Sequence, residues 1–231
     1  MTTPAIEVNN LSFGYERGIN VLDSLSFRIE AGARVAILGS NGAGKSTLVW
    51  LLAGLLHGKG DVRIFGETAS ASHNKVGLVF QNPEDQLFMP SIREDLILPL
   101  VNRGMDEKTA TAKTQELLQT VGLENHGARP AAKLSYGQRK RAAIAAALIL
   151  EPEILILDEP TAELDGRGVR ELKQTLSSIS STLLVVTHDL AFARDVAERA
   201  ILLSNTGQVI GDGETAAVLS NITLLTLAGI V

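Results

Sequence analysis

The sequence predicts an α/β fold in which helices cover both faces of a mostly parallel β-sheet. Short apolar runs at residues 34–38, 154–157 and 182–186 are typical of buried strands, and helical patterns separate them along the chain. The length of 231 residues suits one well-packed domain with a small inserted subdomain. We therefore expect residues 1–231 to form a single domain.

The first third of the chain supplies strands and one core helix. Residues 6–8 and 25–29 alternate apolar with polar side chains, as half-buried strands do. Residues 34–38 form an apolar run that leads into a glycine-rich loop, which predicts a buried strand. Residues 48–56 are apolar enough for a core helix, and residues 75–80 predict a further strand.

Helical patterns dominate the middle of the chain. Between residues 90 and 134 only helical patterns occur, and we place an inserted helical subdomain at about residues 90–144. The clearest helix spans residues 106–121, with an aspartate as N-cap and a glycine directly after it. Residues 136–150 predict a helix that is basic at its start and apolar at its end. Another helix is expected near residues 169–180.

Composition narrows the classes of function. The net charge of −5 argues against a general nucleic-acid binder, which is usually basic. The absence of cysteine excludes disulfides, thiolate zinc sites and a cysteine nucleophile. Residues 1–7 lack the basic and apolar pattern of a signal peptide, and residues 142–150 and 222–231 are shorter than the roughly 18 apolar residues of a membrane span. We expect a soluble protein that reaches a membrane only by docking on a partner.

A glycine-rich motif follows the buried strand at residues 34–38 and predicts a phosphate loop of the P-loop NTPase type. It fits the pattern G-x-x-x-x-G-K-[ST]. Glycines let backbone N–H groups turn toward phosphate oxygens, Lys45 supplies a cation for the β- and γ-phosphates, and Ser46 offers a hydroxyl to Mg²⁺. The alternative is a glycine-rich turn with a surface lysine. The predicted phosphate-binding residues are Gly39, Ser40, Asn41, Gly42, Ala43, Gly44, Lys45, Ser46 and Thr47.

Two carboxylates follow the buried strand at residues 154–157. This strand delivers Asp158 at its C-terminal end, where ligands bind in open α/β sheets and where a carboxylate can hold Mg²⁺. Glu159 comes next and can orient or deprotonate the water that attacks the terminal phosphate. The alternative is a solvated strand end. With the phosphate loop, these residues predict ATP and Mg²⁺ as ligands.

The segment Ser135, Tyr136, Gly137 and Gln138 lies between Leu134 and a basic-to-apolar helix. It resembles the ABC signature sequence, with tyrosine where glycine is frequent. Phosphate loop, signature and acidic strand follow in the order of the ABC ATPase family, and the resemblance covers essentially the whole chain. It implies a RecA-like core with an N-terminal antiparallel β subdomain and an inserted α-helical subdomain.

Four further residues stand where the family has functional positions. The resemblance implies that Tyr15 stacks on adenine and that Gln81 is the Q-loop glutamine that contacts the metal and the attacking water. It also implies that Asp165 belongs to the D-loop and that His188 is the switch histidine that contacts the γ-phosphate. A packing tyrosine, a polar strand end and a structural histidine are the alternatives.

The resemblance also implies a shared site. Ser135 and Gly137, at a helix N-terminus, would bind the γ-phosphate that a second ATPase subunit holds. ATP would then join two subunits, either two copies of this chain or this chain and a close paralogue, and hydrolysis would release them.

The run at residues 79–88, VFQNPEDQLF, is similar to ATPases of energy-coupling-factor importers, and within them to the cobalt or nickel uptake subgroup. This implies a transmembrane scaffold, a substrate-binding membrane subunit, a peripheral location on the cytoplasmic face of the membrane and no nucleic acid. The sequence leaves four alternative functions open: an ATPase of a vitamin importer, an ATPase of an exporter, a soluble ABC ATPase, and a P-loop kinase. Many of these relatives carry a longer C-terminal extension that helps them dimerise.

Two surface features have alternative interpretations. Apolar residues after Gln81 either line a groove for coupling helices of the scaffold or bury the helical subdomain; they are Phe80, Leu87, Phe88, Met89 and a helix at residues 91–99. At least two of Arg139, Lys140 and Arg141 are expected to lie on a solvated basic face.

Overall fold

The computed structural model describes residues 3–16 and 18–231. The strands are β1 (Ile6–Phe13), β2 (Leu22–Ile29), β3 (Arg34–Leu38), β4 (Lys59–Ile64), β5 (Glu67–Thr68), β6 (Val76–Val79), β7 (Ile154–Asp158), β8 (Thr182–Thr187), β9 (Arg199–Leu203) and β10 (Val209–Glu214). The α-helices are α1 (Lys45–Leu52), α2 (Ile92–Asn102), α3 (Glu107–Thr120), α4 (Tyr136–Leu148), α5 (Gly166–Ser177), α6 (Leu190–Val196), α7 (Thr215–Ser220) and α8 (Ile222–Leu227).

The chain divides into two compact units. The first contains the described residues up to Leu78, together with Glu153–Glu159 and Ser180–Val231. The second contains Val79–Pro152 and Pro160–Ile179. The first unit therefore carries most of the strands, and the second carries α2 to α5.

The larger sheet of the first unit has six strands in the order β10-β9-β3-β8-β7-β6. β3 pairs in parallel with β8 and β9, β7 pairs in parallel with β8, and β10 is antiparallel to β9. Every residue of β7 and β8 is buried, and both strands are continuous apolar runs with polar residues only at their ends. The predicted α/β fold with a mostly parallel sheet is confirmed.

The second sheet is antiparallel and has the order β2-β1-β4-β5. In β2 the apolar residues Leu25, Phe27 and Ile29 are buried and alternate with exposed Ser26 and Arg28. One side of this strand therefore faces a core and the other faces water. This sheet is the N-terminal antiparallel part that the family resemblance implies.

In the second unit, polar side chains define the helix starts. Asp106 caps α3 by accepting a hydrogen bond from the Thr109 backbone N–H at 3.0 Å, which confirms the predicted N-cap. Ser91 caps α2 in the same way through the Glu94 N–H, at 3.3 Å. Among the described residues, no helix is long and apolar enough to span a bilayer.

Several helix boundaries differ from the predicted ones. The core helix α1 ends at Leu52 rather than at residue 56, because Gly54 adopts a left-handed φ of 72° directly afterwards. Helix α5 begins three residues before the predicted start, because the Asp165 side chain caps it. Helix α2 continues past Pro99 to Asn102, whereas the predicted helix stops at the proline.

Candidate functional site

Three neighbouring parallel strands of the first unit deliver the predicted site residues. β3 leads into the loop that starts at Gly39, β7 ends at Asp158 and is followed by Glu159, and β8 ends at Thr187 and is followed by His188. β8 lies between β3 and β7. Because the carboxyl ends of parallel strands meet at one edge of a sheet, these segments come together there.

The glycine-rich loop has a backbone that only glycine adopts easily. Gly42 and Gly44 have φ angles of 85° and 84°, in the left-handed region. A Cβ atom on Gly44 would also lie 2.6 Å from Leu22 Cδ2 and 2.9 Å from the Val21 carbonyl oxygen. The following residue, Lys45, starts α1, so the first backbone N–H groups of this helix are available to an anion.

The Lys45 side chain is buried inside this loop. Its Nζ donates hydrogen bonds to the carbonyl oxygens of Gly39 and Ser40, both at 3.0 Å. Nζ also lies 3.2 Å from Oε1 of Glu159, and both side chains are almost fully buried. The loop therefore holds a cation at the place where the motif predicts one for phosphate oxygens.

Glu159 is held by several contacts, and its backbone adopts a left-handed φ of 41°. Oε2 accepts hydrogen bonds from Thr187 Oγ1 at 3.0 Å and from the His188 backbone N–H at 3.3 Å. His188 Nδ1 lies 3.0 Å from the same oxygen. A carboxylate can only accept, so Nδ1 carries the proton in this contact. The His188 side chain is about half exposed.

Two of the predicted magnesium ligands are oxygen-bearing side chains of the first unit. Ser46 is the second residue of α1, and Asp158 is a buried carboxylate at the C-terminal end of β7. A hydroxyl and a carboxylate are the hard oxygen ligands that Mg²⁺ prefers. Gln81, the third predicted metal contact, belongs to the second unit.

Tyr15 provides an exposed aromatic surface next to the glycine-rich loop. The residue is 58% exposed, and its hydroxyl forms a hydrogen bond with Thr47 Oγ1 at 3.1 Å. The Phe13 ring packs edge-on against it, with 5.0 Å between ring centroids. Tyr15 also lines an open cleft of about 840 Å³. Phe13 and Thr47 thus hold the tyrosine in place, while much of the residue stays exposed to a flat ligand.

Two residues that contact the site were not predicted from the sequence. Thr187 donates to Glu159, and Asn205 accepts a hydrogen bond from Ser40 Oγ at 2.8 Å. The position of Thr187 directly before His188 was the available signal for the first. Nothing near Asn205 in the sequence indicates a contact with a loop 165 positions away.

In the second unit, the four signature residues form the start of α4. Ser135 and Gln138 make a capping box, in which Gln138 N–H donates to Ser135 Oγ at 3.3 Å and Ser135 N–H donates to Gln138 Oε1 at 3.0 Å. Ser135 Oγ accepts in this box, so its own hydrogen remains available to a ligand. Nearby, Asp165 caps α5 by accepting from Gly168 N–H at 2.7 Å.

These two helix starts border a cleft of about 420 Å³. Both helices begin with N–H groups, which suit a negatively charged ligand. Its lining combines the four signature residues with Asp165 and its neighbours. The lining residues are Ser135, Tyr136, Gly137, Gln138, Arg141, Glu163, Leu164, Asp165, Arg167, Gly168 and Glu171.

The prediction of a solvated basic face at the start of α4 is wrong. Lys140 is 1% exposed, and Arg141 pairs with Glu171. Arg139 donates to the Leu134 carbonyl oxygen at 2.9 Å. The residue types alone did not predict their exposure correctly, because a long basic side chain can be buried when its charged end contacts carbonyl or carboxylate oxygens.

Comparisons with known proteins show the family of this chain. Residues 22–162 match the family model described as ABC transporter. The chain is 41% identical over 235 residues to the energy-coupling factor transporter ATP-binding protein EcfA of Carboxydothermus hydrogenoformans, covering 98% of this chain and 86% of that protein. It is 38% identical over 239 residues to the cobalt import ATP-binding protein CbiO of Rhodobacter capsulatus, covering 99% and 85%.

The fold agrees as well. The solved structure of cbiO1 from Clostridium perfringens, part of the ABC transporter complex cbiONQ, superimposes with a TM-score of 0.86 and 31% identity, covering 97% of this chain and 94% of that one. The predicted P-loop NTPase fold is confirmed by this match. The chain belongs to the ABC transporter family, as an ATP-binding subunit that hydrolyses ATP.

Proposed function

We propose that this chain powers an importer of the energy-coupling-factor type that takes up cobalt or nickel ions. The observation that carries the proposal is the run at residues 79–88 in a chain similar over nearly its full length to proteins named EcfA and CbiO. Cargo would be chosen by a membrane subunit, so this chain supplies the energy and not the selectivity.

In the proposed site, residues 39–47 bind the phosphates of ATP and Tyr15 stacks on the adenine. Burial of the Lys45 ammonium and the free face of Tyr15 support these roles. Ser46, Asp158 and Gln81 would hold Mg²⁺, which neutralises charge on the phosphates when it is bound.

For hydrolysis, we assign proton transfer to Glu159 and phosphate sensing to His188. The Glu159 carboxylate is oriented by Thr187 and His188, so it can accept a proton from a water placed between it and the terminal phosphate. The His188 Nδ1 proton is used in the contact with Glu159. Nε2 would bind a phosphate oxygen only when it carries a proton as well, because phosphate oxygens accept hydrogen bonds.

The proposed engine needs two ATPase subunits, either two copies of this chain or one copy and a paralogue. The terminal phosphate of ATP held by one subunit would be capped by Ser135 and Gly137 of the other. The unused hydroxyl hydrogen of Ser135 and the cleft shared by the starts of α4 and α5 support this arrangement. Asp165 borders the same cleft, as a D-loop residue would.

We propose that the membrane scaffold docks beside the segment that follows Gln81, which places the chain on the cytoplasmic face of the membrane. Phe88 is 77% exposed, whereas neighbouring Leu87 is buried. We therefore assign Leu87 to packing within the helical subdomain and Phe88 to contact with the scaffold.

Transport in reconstituted vesicles tests this function. The chain, purified with the membrane subunits that bind it, is placed in proteoliposomes with ATP on the chain's side. We expect ATP-dependent accumulation of Co²⁺ or Ni²⁺, and none with the Glu159→Gln variant. Uptake of a vitamin instead would reject the metal cargo, and movement of cargo in the opposite direction would reject an importer.

The adenine contact gives a simpler test. Tyr15→Ala should weaken ATP binding about tenfold, because the loss of one base–aromatic stack costs on the order of 1–3 kcal/mol. Tyr15→Phe keeps the ring and loses only the hydrogen bond to Thr47, so its affinity should stay close to that of the parent. Titration calorimetry with ATP measures both. Equal affinities for the alanine variant and the parent would remove Tyr15 from the site.

A further inference from the structure

The backbone carbonyl of Gln81 is held by two donors from α4. Lys140 Nζ donates to this oxygen at 2.5 Å, and the Tyr136 hydroxyl donates to it at 3.3 Å. Lys140 Nζ also lies 3.4 Å from the carbonyl oxygen of Phe80. Lys140 is 1% exposed, so the ammonium has little access to water and depends on such protein oxygens.

A second contact anchors the same segment to the same helix. The side-chain amide of Gln86 accepts from the Phe80 N–H at 3.4 Å and donates to the Ala143 carbonyl oxygen of α4 at 3.1 Å. The backbone on both sides of the bond between Phe80 and Gln81 is therefore fixed against α4. All of these residues belong to the second unit.

Tyr136 takes part where relatives of this family often have glycine. A glycine there would have no hydroxyl to donate to Gln81. The Arg139 guanidinium and the Lys140 ammonium lie 5.6 and 5.8 Å from the centre of its ring, within the range of cation–π attraction. A carbonyl oxygen can only accept a hydrogen bond, so the Tyr136 hydroxyl is the donor in its contact with Gln81.

We propose that Lys140, assisted by Tyr136, is a positioning residue for hydrolysis: it sets the backbone position from which the Gln81 side chain acts. The inference rests on the role proposed above for Gln81. A hydrogen bond from a charged donor is stronger than one between neutral groups, and it keeps the carbonyl in one place when water is excluded. The signature helix would thereby hold the Q-loop of its own chain.

The test removes the cation and keeps the length of the side chain. Lys140→Met should lower kcat about tenfold while KM for ATP changes by less than about twofold, since one charge-assisted hydrogen bond is lost away from the nucleotide-binding loop. The concentration of Mg²⁺ at half-maximal rate should rise, and Lys140→Arg should recover most of the rate. Lys113→Met is the matched control, because Lys113 lies in the same unit and pairs with Glu151 at 2.7 Å.

A double-mutant cycle separates positioning from simple stabilisation. In a Gln81→Ala background, Lys140→Met should cause little further loss of kcat, because the side chain being positioned is gone. The inference would be overturned if the losses of kcat from the two substitutions were fully additive. It would also be overturned if the loss of kcat in Lys140→Met were explained by a lower melting temperature and the Mg²⁺ dependence were unchanged. If Lys140→Met does not fold, Tyr136→Phe runs the same cycle on the second donor.

The cycle also separates this inference from the proposed function. A Gln81→Ala variant with a normal rate would contradict the role proposed for Gln81. If Gln81→Ala is slow and Lys140→Met causes a further, fully additive loss of kcat, the role of Gln81 stands and only the positioning by Lys140 is rejected.

Discussion

Glu159→Gln is expected to slow ATP hydrolysis by about 10²–10⁴-fold, the usual contribution of a positioned general base. Glutamine fills the same space and can still accept from Thr187, but it cannot take a proton from water. The Lys45 ammonium keeps its bonds to the carbonyl oxygens of Gly39 and Ser40, so ATP affinity should stay close to that of the parent. Phosphate release and calorimetric titration with ATP measure the two quantities.

A matched control is available at the other end of the same strand. Glu153 is exposed directly before the start of β7, whereas Glu159 is buried directly after its end. Glu153→Gln should leave both turnover and affinity unchanged. A Glu159→Gln variant that hydrolyses ATP at the parent rate would show that Glu159 is not the base.

Ser135→Arg is expected to abolish ATP-dependent dimerisation while leaving ATP binding by the monomer intact. The arginine would fill the cleft between the starts of α4 and α5 and remove the hydroxyl assigned to the terminal phosphate of the neighbour's ATP. Loss of the N-cap itself should cost only about 1 kcal/mol of stability. Light scattering after gel filtration, in a Glu159→Gln background with ATP, reports the oligomeric state.

Ser91→Arg controls for the lost cap, because Ser91 also accepts a hydrogen bond from the backbone N–H three residues later, at the start of α2 and outside the signature. It should dimerise with ATP as the parent does. Dimers of undiminished affinity in Ser135→Arg would reject the shared site, whatever cargo the transporter carries.

The sheet core and the residues at its edge could be predicted because their signals are local. β3, β7 and β8 are apolar except at their ends, and the motif residues stand within a few positions of each strand end. Parallel pairing then brings those ends to one edge. The confirmed fold class and the clustering of Lys45, Glu159 and His188 follow from such short segments.

Other features depend on contacts between residues far apart in the sequence. The residues next to Lys140 in the sequence predict a solvated lysine. In the structure, its ammonium donates to the backbone carbonyl oxygen of Gln81, which lies 59 positions away. The predicted end of α1 and the predicted start of α5 were wrong because each boundary is set by a single residue. These residues are Gly54, with its left-handed φ, and Asp165, with its capping side chain. Pattern reasoning averages over windows and therefore locates helices better than it locates their ends.

The placement of β8 between β3 and β7 has a consequence for the dynamics of the protein. The segments that would bind phosphate follow three adjacent strands that pair with one another and whose residues are buried except for the partly exposed Arg34. The backbone amides of these strands should therefore be among the slowest to exchange with deuterium. The catalytic geometry would then be preorganised by the most protected part of the fold. Little of the binding energy of the nucleotide would be spent on assembling it.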